Sequence, residues 1–201
     1  MSRLRIAESD PVGPHQEASP AAGAHPVGTH HVEVHRVVAE DWRAHRALRL
    51  EMLAADPDAF WADPEEVRAR TAAQWREEIA GPRIHLQARD GDEVLGGIAL
   101  LPEGYTPEHE IPEDRAHIVS LWVRPEARGR GVSAVLLRHL STLALAMGRP
   151  DLRLDVDETN APARALYERL GFRTTGAREP RESRGTAWVE YAFRAERLQE
   201  I

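Results

Sequence analysis

Hydrophobic and polar positions alternate with a period of two over residues 31–38 (HVEVHRVV), which predicts a first strand. The period then lengthens. After Asp41, the residues Trp42, Leu48, Met52 and Leu53 fall on one side of a helix that stops before Asp56-Pro57. Asp63-Pro64-Glu65-Glu66 is a helix start, with an N-cap Asp and Pro in the first turn. Val67, Thr71, Trp75 and Ile79 follow four residues apart, so a single second helix is expected to run to Gly81-Pro82. Apolar runs at 84–89 and 94–101 flank Asp90-Gly91-Asp92-Glu93, a strand, a turn and a strand. A polar loop covers 102–115. Residues 116–123 (AHIVSLWV) are apolar at nearly every position after His117 and read as a central strand. Gly131 opens a third helix with Val132, Leu136, Leu140, Leu143 and Met147 on its buried face, closed by Gly148. A short strand at 152–156, a fourth helix at 161–170 and two strands at 172–177 and 186–194 complete the order βααβββαβαββ. Hairpins mixed with crossovers imply an α/β fold with a mixed sheet of about seven strands flanked by four helices.

Residues 1–31 show neither period. Pro11, Pro14, Pro20 and Pro26 stand there with Gly13, Gly23 and Gly28, so a disordered tail is expected, followed by one domain over 32–201. The spacing of His15, His25, His30 and His31 does not match a helical ligand pair, and no metal site is expected.

Composition narrows the chemistry. The 201 residues include no cysteine, which excludes a disulfide framework, thiolate metal ligands and a Cys nucleophile. All 26 basic residues are Arg, which excludes a Lys Schiff base and a P-loop lysine. The net charge of −7 argues against a nucleic-acid partner. No apolar run approaches the roughly 20 residues of a membrane span, and the N-terminus has no signal-peptide core, so a cytoplasmic location is expected.

Against this acidic background, Leu121-Trp122-Val123-Arg124-Pro125-Glu126-Ala127-Arg128-Gly129-Arg130-Gly131-Val132-Ser133 carries three Arg and one Glu. A buried strand runs through a glycine-containing basic turn into a helix. Glycine lets backbone approach a ligand closely, and unpaired amides at a helix start attract phosphate. A second stretch, Asn160-Ala161-Pro162-Ala163-Arg164-Ala165-Leu166-Tyr167-Glu168-Arg169-Leu170-Gly171-Phe172, lies downstream.

With these two stretches the chain resembles the GCN5-related N-acetyltransferase (GNAT) family. Arg128 to Ser133 match its Arg-x-x-Gly-x-Gly/Ala pyrophosphate signature, with Ser133 as a small-residue departure at the last position. Asn160, Ala163, Leu166, Tyr167, Gly171 and Phe172 match its second signature. The resemblance covers residues 32–195 and implies a splayed central sheet. It also implies acetyl transfer from acetyl-CoA to a primary amine by direct attack in a ternary complex, without a metal. The pyrophosphate would rest on Arg128, Gly129, Arg130, Gly131, Val132 and Ser133. The pantetheine arm would pair with Leu121, Trp122 and Val123 and meet Asn160 and Ala163. Tyr167, with an ordinary pKa of about 10, would donate to the leaving thiolate. Backbone amides near 121–123 would hold the oxyanion.

His117 stands where many relatives carry a Glu base, and a His near pKa 6.5 can take a proton. Glu51, Asp157 and Glu158 are further candidates. Without a strong base, an amine of low pKa is the easier substrate. The acceptor pocket is expected between the first two helices, where Phe60 and Trp61 can line it or plug the core. Acidic residues at 56–63, and Glu103, Glu108, Glu110, Glu113 and Asp114, would attract a cationic amine. A small-molecule amine is therefore the leading acceptor, and a protein N-terminus or lysine the alternative. A CoA-binding sensor without turnover is the alternative of another class. Trp188, Val189, Tyr191 and Phe193 either complete the chain's own sheet or pair in a homodimer.

Overall fold

The computed structural model describes residues 31–104 and 110–199. The expected tail up to residue 30, and Glu108, lie outside the described residues. The strands are β1 (Glu33–Arg36), β2 (Ile84–Asp90), β3 (Glu93–Leu101), β4 (Arg115–Val123), β5 (Asp151–Asp157), β6 (Arg173–Arg181) and β7 (Thr186–Arg194). The helices are α1 (Trp42–Ala55), α2 (Pro64–Ala69), α3 (Ala72–Ala80), α4 (Val132–Ala146) and α5 (Ala161–Arg169). One sheet takes the order β1-β2-β3-β4-β5-β7-β6, antiparallel at every junction except β4–β5.

The single second helix expected from the sequence is two helices. The first stops at Ala69, with Arg70 in extended backbone, and Thr71 caps the next: its Oγ1 accepts from the Gln74 amide and Gln74 Oε1 accepts from the Thr71 amide. This capping box satisfies orphan donors locally, which favours a break despite the unbroken four-residue spacing.

Helices cover both faces of the sheet. Leu136, Leu137, Leu140 and Ala144 of α4 pack with Leu86, Leu100, Ile118 and Leu152. On the opposite face, Leu48, Met52 and Leu53 of α1 join Val67, Trp75 and Trp122. Every residue of β3 from Val94 to Leu101 is buried, which explains its continuous apolar run. Each buried Leu contributes roughly 1.5–3 kcal/mol.

Two irregularities shape the centre. β4 carries a bulge: Gly97 opposes Trp122, whereas Ala99 opposes Val119. Ser120 within it has φ 58°, an uncommon backbone for a non-glycine residue. Arg49 of α1 donates from Nη1 to Ser120 Oγ at 2.9 Å and ties the bulge to the helix. Gly96 lies against the same strand, and a Cβ there would stand 2.5 Å from the Trp122 carbonyl oxygen and 3.0 Å from Val123 Cα. Both contacts are backbone, which cannot rotate away. Gly96→Ala is therefore expected to destabilise the fold by about 3 kcal/mol, read as a lower urea midpoint at unchanged m-value.

The second irregularity is a parting. β4 and β5 pair only at Arg115↔Asp151, Ala116↔Leu152 and His117↔Arg153. Beyond His117 the two strands separate. β7, by contrast, is bonded along both edges, to β5 and to β6, so its aromatic residues complete the chain's own sheet.

Candidate active site

The parting of β4 from β5 opens a cleft of about 1910 Å³, well above the ~300–1,000 Å³ of ordinary small-molecule pockets. Leu121, Trp122 and Val123 form one wall, and Leu154, Asp155 and Val156 the other. Past His117 the β4 edge that faces β5 has no strand beside it among the described residues. An extended, amide-bearing ligand can supply the missing ladder.

At one end the cleft meets the turn before α4. Gly129 and Gly131 have φ 76° and 79°, and a Cβ at either would meet nothing within 4 Å. Glycine is needed there for the backbone conformation, not for space. Gly131 is the N-cap of α4 and offers no side-chain acceptor, so the first amides of this helix remain available to an anion. Val132 and Ser133 also line the cleft. Arg128 is anchored beside it, donating from Nε to the Val123 carbonyl at 3.0 Å and from Nη2 to Asp56 Oδ2 at 2.8 Å. The Trp122 indole N–H donates to the same Asp56 oxygen at 2.6 Å. Arg130 differs from the rest of the expected set: its side chain turns to Asp90 at 3.5 Å and leaves only its backbone to the turn.

The far wall is the start of α5. Asn160 caps it, its Oδ1 accepting from the Ala163 amide at 3.2 Å, and both residues line the cleft. Tyr167, two helical turns after the cap, also lines it and is 8% exposed. Its ring packs on Phe172 and Tyr191, at 5.5 and 6.3 Å between centroids. Burial pushes its phenol well above the usual tyrosine range, so it is protonated at neutral pH.

The other face of the C-terminal strands holds the polar groups. His117 stands opposite Arg153, and alternation along β5 puts Arg153, Asp155 and Asp157 on one side. Burial lowers the His117 pKa, partly opposed by Glu190, so its imidazole is neutral at pH 7. Burial, then Glu190 and Glu179, push Asp155 up to about 6. Asp155 and Glu179 have no ion-pair or hydrogen-bond partner among the described residues. The three further base candidates are engaged elsewhere. Glu51 pairs with Arg124 at 2.8 Å, and Glu158 pairs with Arg178. Burial alone would raise the Asp157 pKa, but hydrogen bonds from Thr159, Thr186 and Arg181 outweigh it and hold the carboxyl far below the usual range.

Phe60 and Trp61 both line the cleft. Phe60 also packs against the α1–α3 core, while Trp61 is 68% exposed and stacks on Trp188 at 5.1 Å. Asp155 is the residue that sequence reading missed. Its signal was the alternating LRLDVD of β5, which sets the acid on the same face as His117.

Residues 44–172 match the acetyltransferase (GNAT) family, and the chain belongs to it. It is 31% identical over 135 residues to a mycothiol acetyltransferase of Clavibacter michiganensis, covering 67% of this chain and 39% of that protein. It is 36% identical over 90 residues to the peptidyl-lysine N-acetyltransferase YjaB of Salmonella typhimurium, covering 45% and 50%. The aligned stretches thus span half or less of these relatives' own lengths. Its fold resembles yncA from Salmonella typhimurium, solved with its cofactor acetyl-CoA, at a TM-score of 0.62 and 17% identity over 82% of this chain and 94% of that one. Among the described residues no helix is long and apolar enough to cross a membrane.

Proposed function

We propose that this chain is an acetyl-CoA-dependent N-acetyltransferase whose acceptor is a small cationic amine. One observation carries the reading: a cleft opened by the parted strands runs from a glycine turn at a helix start to unpaired acidic groups beside a neutral histidine. The free β4 edge, the positive-φ glycines and the open amides of α4 suit the pantetheine and diphosphate of acetyl-CoA. The cofactor supplies the activated acyl group as a thioester. The amides at 129–133 and Arg128 hold its diphosphate. The β4 edge aligns the pantetheine arm, with Asn160 and Ala163 opposite. Amides at the Ser120 bulge, turned out of the regular ladder, are placed to receive negative charge on the acyl oxygen. Tyr167 gives a hydrogen bond to the departing sulfur.

The acceptor enters past Trp61 and Trp188. Asp155 and Glu179 attract its ammonium form, and Asp155 or His117 removes the proton before attack. Both groups are in the accepting form at neutral pH. Wild-type kcat/KM is therefore expected to fall as pH drops through about 6, where Asp155 becomes protonated. In Asp155→Asn that acid limb should move or vanish and activity should drop, whereas a wild-type profile in this variant excludes Asp155 as the base. Stability should move the other way. A carboxyl whose folded pKa is raised loses stability as pH climbs from about 4 to 6, so the Asn variant gains Tm above pH 6 and gains nothing near pH 4.

The direct test is thiol release from acetyl-CoA against two pools. One holds polyamines and aminosugars, and the other holds peptides with free N-termini or internal lysines. Release with the first pool supports the proposal. Release with peptides alone moves the reading to a protein acetyltransferase, and CoA binding with silence in both pools moves it to a CoA sensor. The absence of Lys removes lysine self-acetylation as a false signal. A cytoplasmic location follows from the donor.

A further inference from the structure

Two buried histidines meet where α1 lies on β2, behind the catalytic bulge. His45 and His85 are 7% and 5% exposed, with ring centroids 4.4 Å apart. The Nε2 atom of each is buried and has no hydrogen-bond partner, and the same is true of Gln87 Nε2. Gln87 is 1% exposed, and its Oε1 accepts from Arg89 at 3.0 Å, which leaves the amide nitrogen as the unfilled donor. All three side chains line a cavity of about 30 Å³ that ends at Ser120. A space of that size holds one or two species as large as water. Unfilled buried polar atoms are costly, at roughly 1–3 kcal/mol each.

The sign of the surrounding charge decides what belongs there. Arg49 and Arg83 line the cavity, and no carboxylate does. Glu78 lies near both histidines, with one ligand atom from each of the three within 4.8 Å of the others. Two imidazoles and a carboxylate are the donor types of a transition-metal site. However, Arg70 holds one oxygen of Glu78, and Arg83 stands 3.6 Å from the other. Burial and the charges of Arg49, Arg83 and Arg70 drive the His45 pKa down to about 4, against a small opposite effect of Asp41. Burial, His45, Arg83 and Arg49 drive His85 down to about 2. Burial, the largest cause, penalises any charge, but the Arg49 and Arg83 charges that act on both rings disfavour a cation there and favour an anion. At neutral pH both rings are uncharged and each still has one N–H to donate.

We propose that this cavity binds a monovalent anion of chloride size, held by N–H groups of His45, His85 and Gln87 between the guanidinium groups of Arg49 and Arg83. Arg49 also holds Ser120, so the anion sits one side chain behind the catalytic bulge.

The test uses the full chain with chloride exchanged for gluconate at constant ionic strength. Chloride and bromide should raise Tm saturably, and the protein should broaden the chloride NMR line. Both effects should be lost in Gln87→Met and in Arg83→Met, which keep the packing volume and lie outside the residues assigned to acetyl transfer. Equal Tm in chloride and gluconate overturns the proposal, as does a saturable response that survives in both variants. A saturable response to Zn²⁺ that disappears in His45→Gln also overturns it, because the site would then take a cation.

Discussion

Tyr167→Phe is expected to lower kcat by about 100-fold or more and to leave CoA affinity nearly unchanged. The hydroxyl is the group at stake, because the ring contacts with Phe172 and Tyr191 survive the change. The hydroxyl accepts and donates no hydrogen bond among the described residues, so the fold does not require it. Stability should hold, since the residue lines the cleft and its hydroxyl bonds no described residue. The raised phenol pKa matters for mechanism as well. A phenolate in this site would be strongly disfavoured, so in the proposed reaction Tyr167 would act by donating a hydrogen bond to developing charge on sulfur. Calorimetric CoA binding beside steady-state rates separates the outcomes. Lost turnover with intact binding supports the donor role. Unchanged kcat reduces Tyr167 to packing.

Asp157→Ala should cost about 3–5 kcal/mol of stability, the range for breaking a buried charge pair from one side. Asp157 is 5% exposed and accepts from the Thr159 amide and hydroxyl, the Thr186 hydroxyl and Arg181. Removing it strands Arg181, whose side chain is 10% exposed. At 2–4 °C per kcal/mol for a chain of this size, Tm should fall by roughly 6–20 °C. The pH dependence follows from the depressed carboxyl. Its contribution is complete above the unfolded value near 3.9 and is lost as pH falls through the lower folded value. The gap between wild type and variant should thus stay constant from pH 5 to 8 and shrink in acid. Activity should fall as well. Arg181 lies 4.3 Å over the Trp188 ring, Trp188 stacks on Trp61, and the Thr159 turn leads into the cap at Asn160. A Tm loss without this pH signature would mean that Asp157 is merely space-filling.

Much of this architecture is written in local periodicity. β3 and β4 appear as apolar runs because helices cover both their faces, and α4 appears as a stripe ending in glycine. The turn at 128–133 and the start of α5 are legible for a different reason: a left-handed backbone at Gly129 and Gly131 and a side-chain cap at Asn160 require particular residue types at fixed spacing. The break at Thr71 was not legible, because Thr71 fits the apolar spacing and acts as a cap only through Gln74. The bulge at Ser120 was hidden as well. It arises from the register between two strands, and its one trace in sequence is Gly96-Gly97, a glycine pair inside a strand. Asp155 became a candidate only once β4, β5 and β7 stood side by side, since its pKa is raised by burial and then by Glu190 and Glu179, which are distant along the chain.

The parting of β4 from β5 has a mechanical consequence. β1 to β4 and β5 to β7 are two leaves joined across the sheet by the three residue pairs at 115–117. Those pairs act as a spine, and the open strand edges are the free margins of the leaves. A ligand bonded to one margin and packed on the other would bridge the two leaves. Its affinity therefore includes the stiffness of the spine, and residues that never touch the ligand, such as Ala116 and Leu152, help set how tightly it is held.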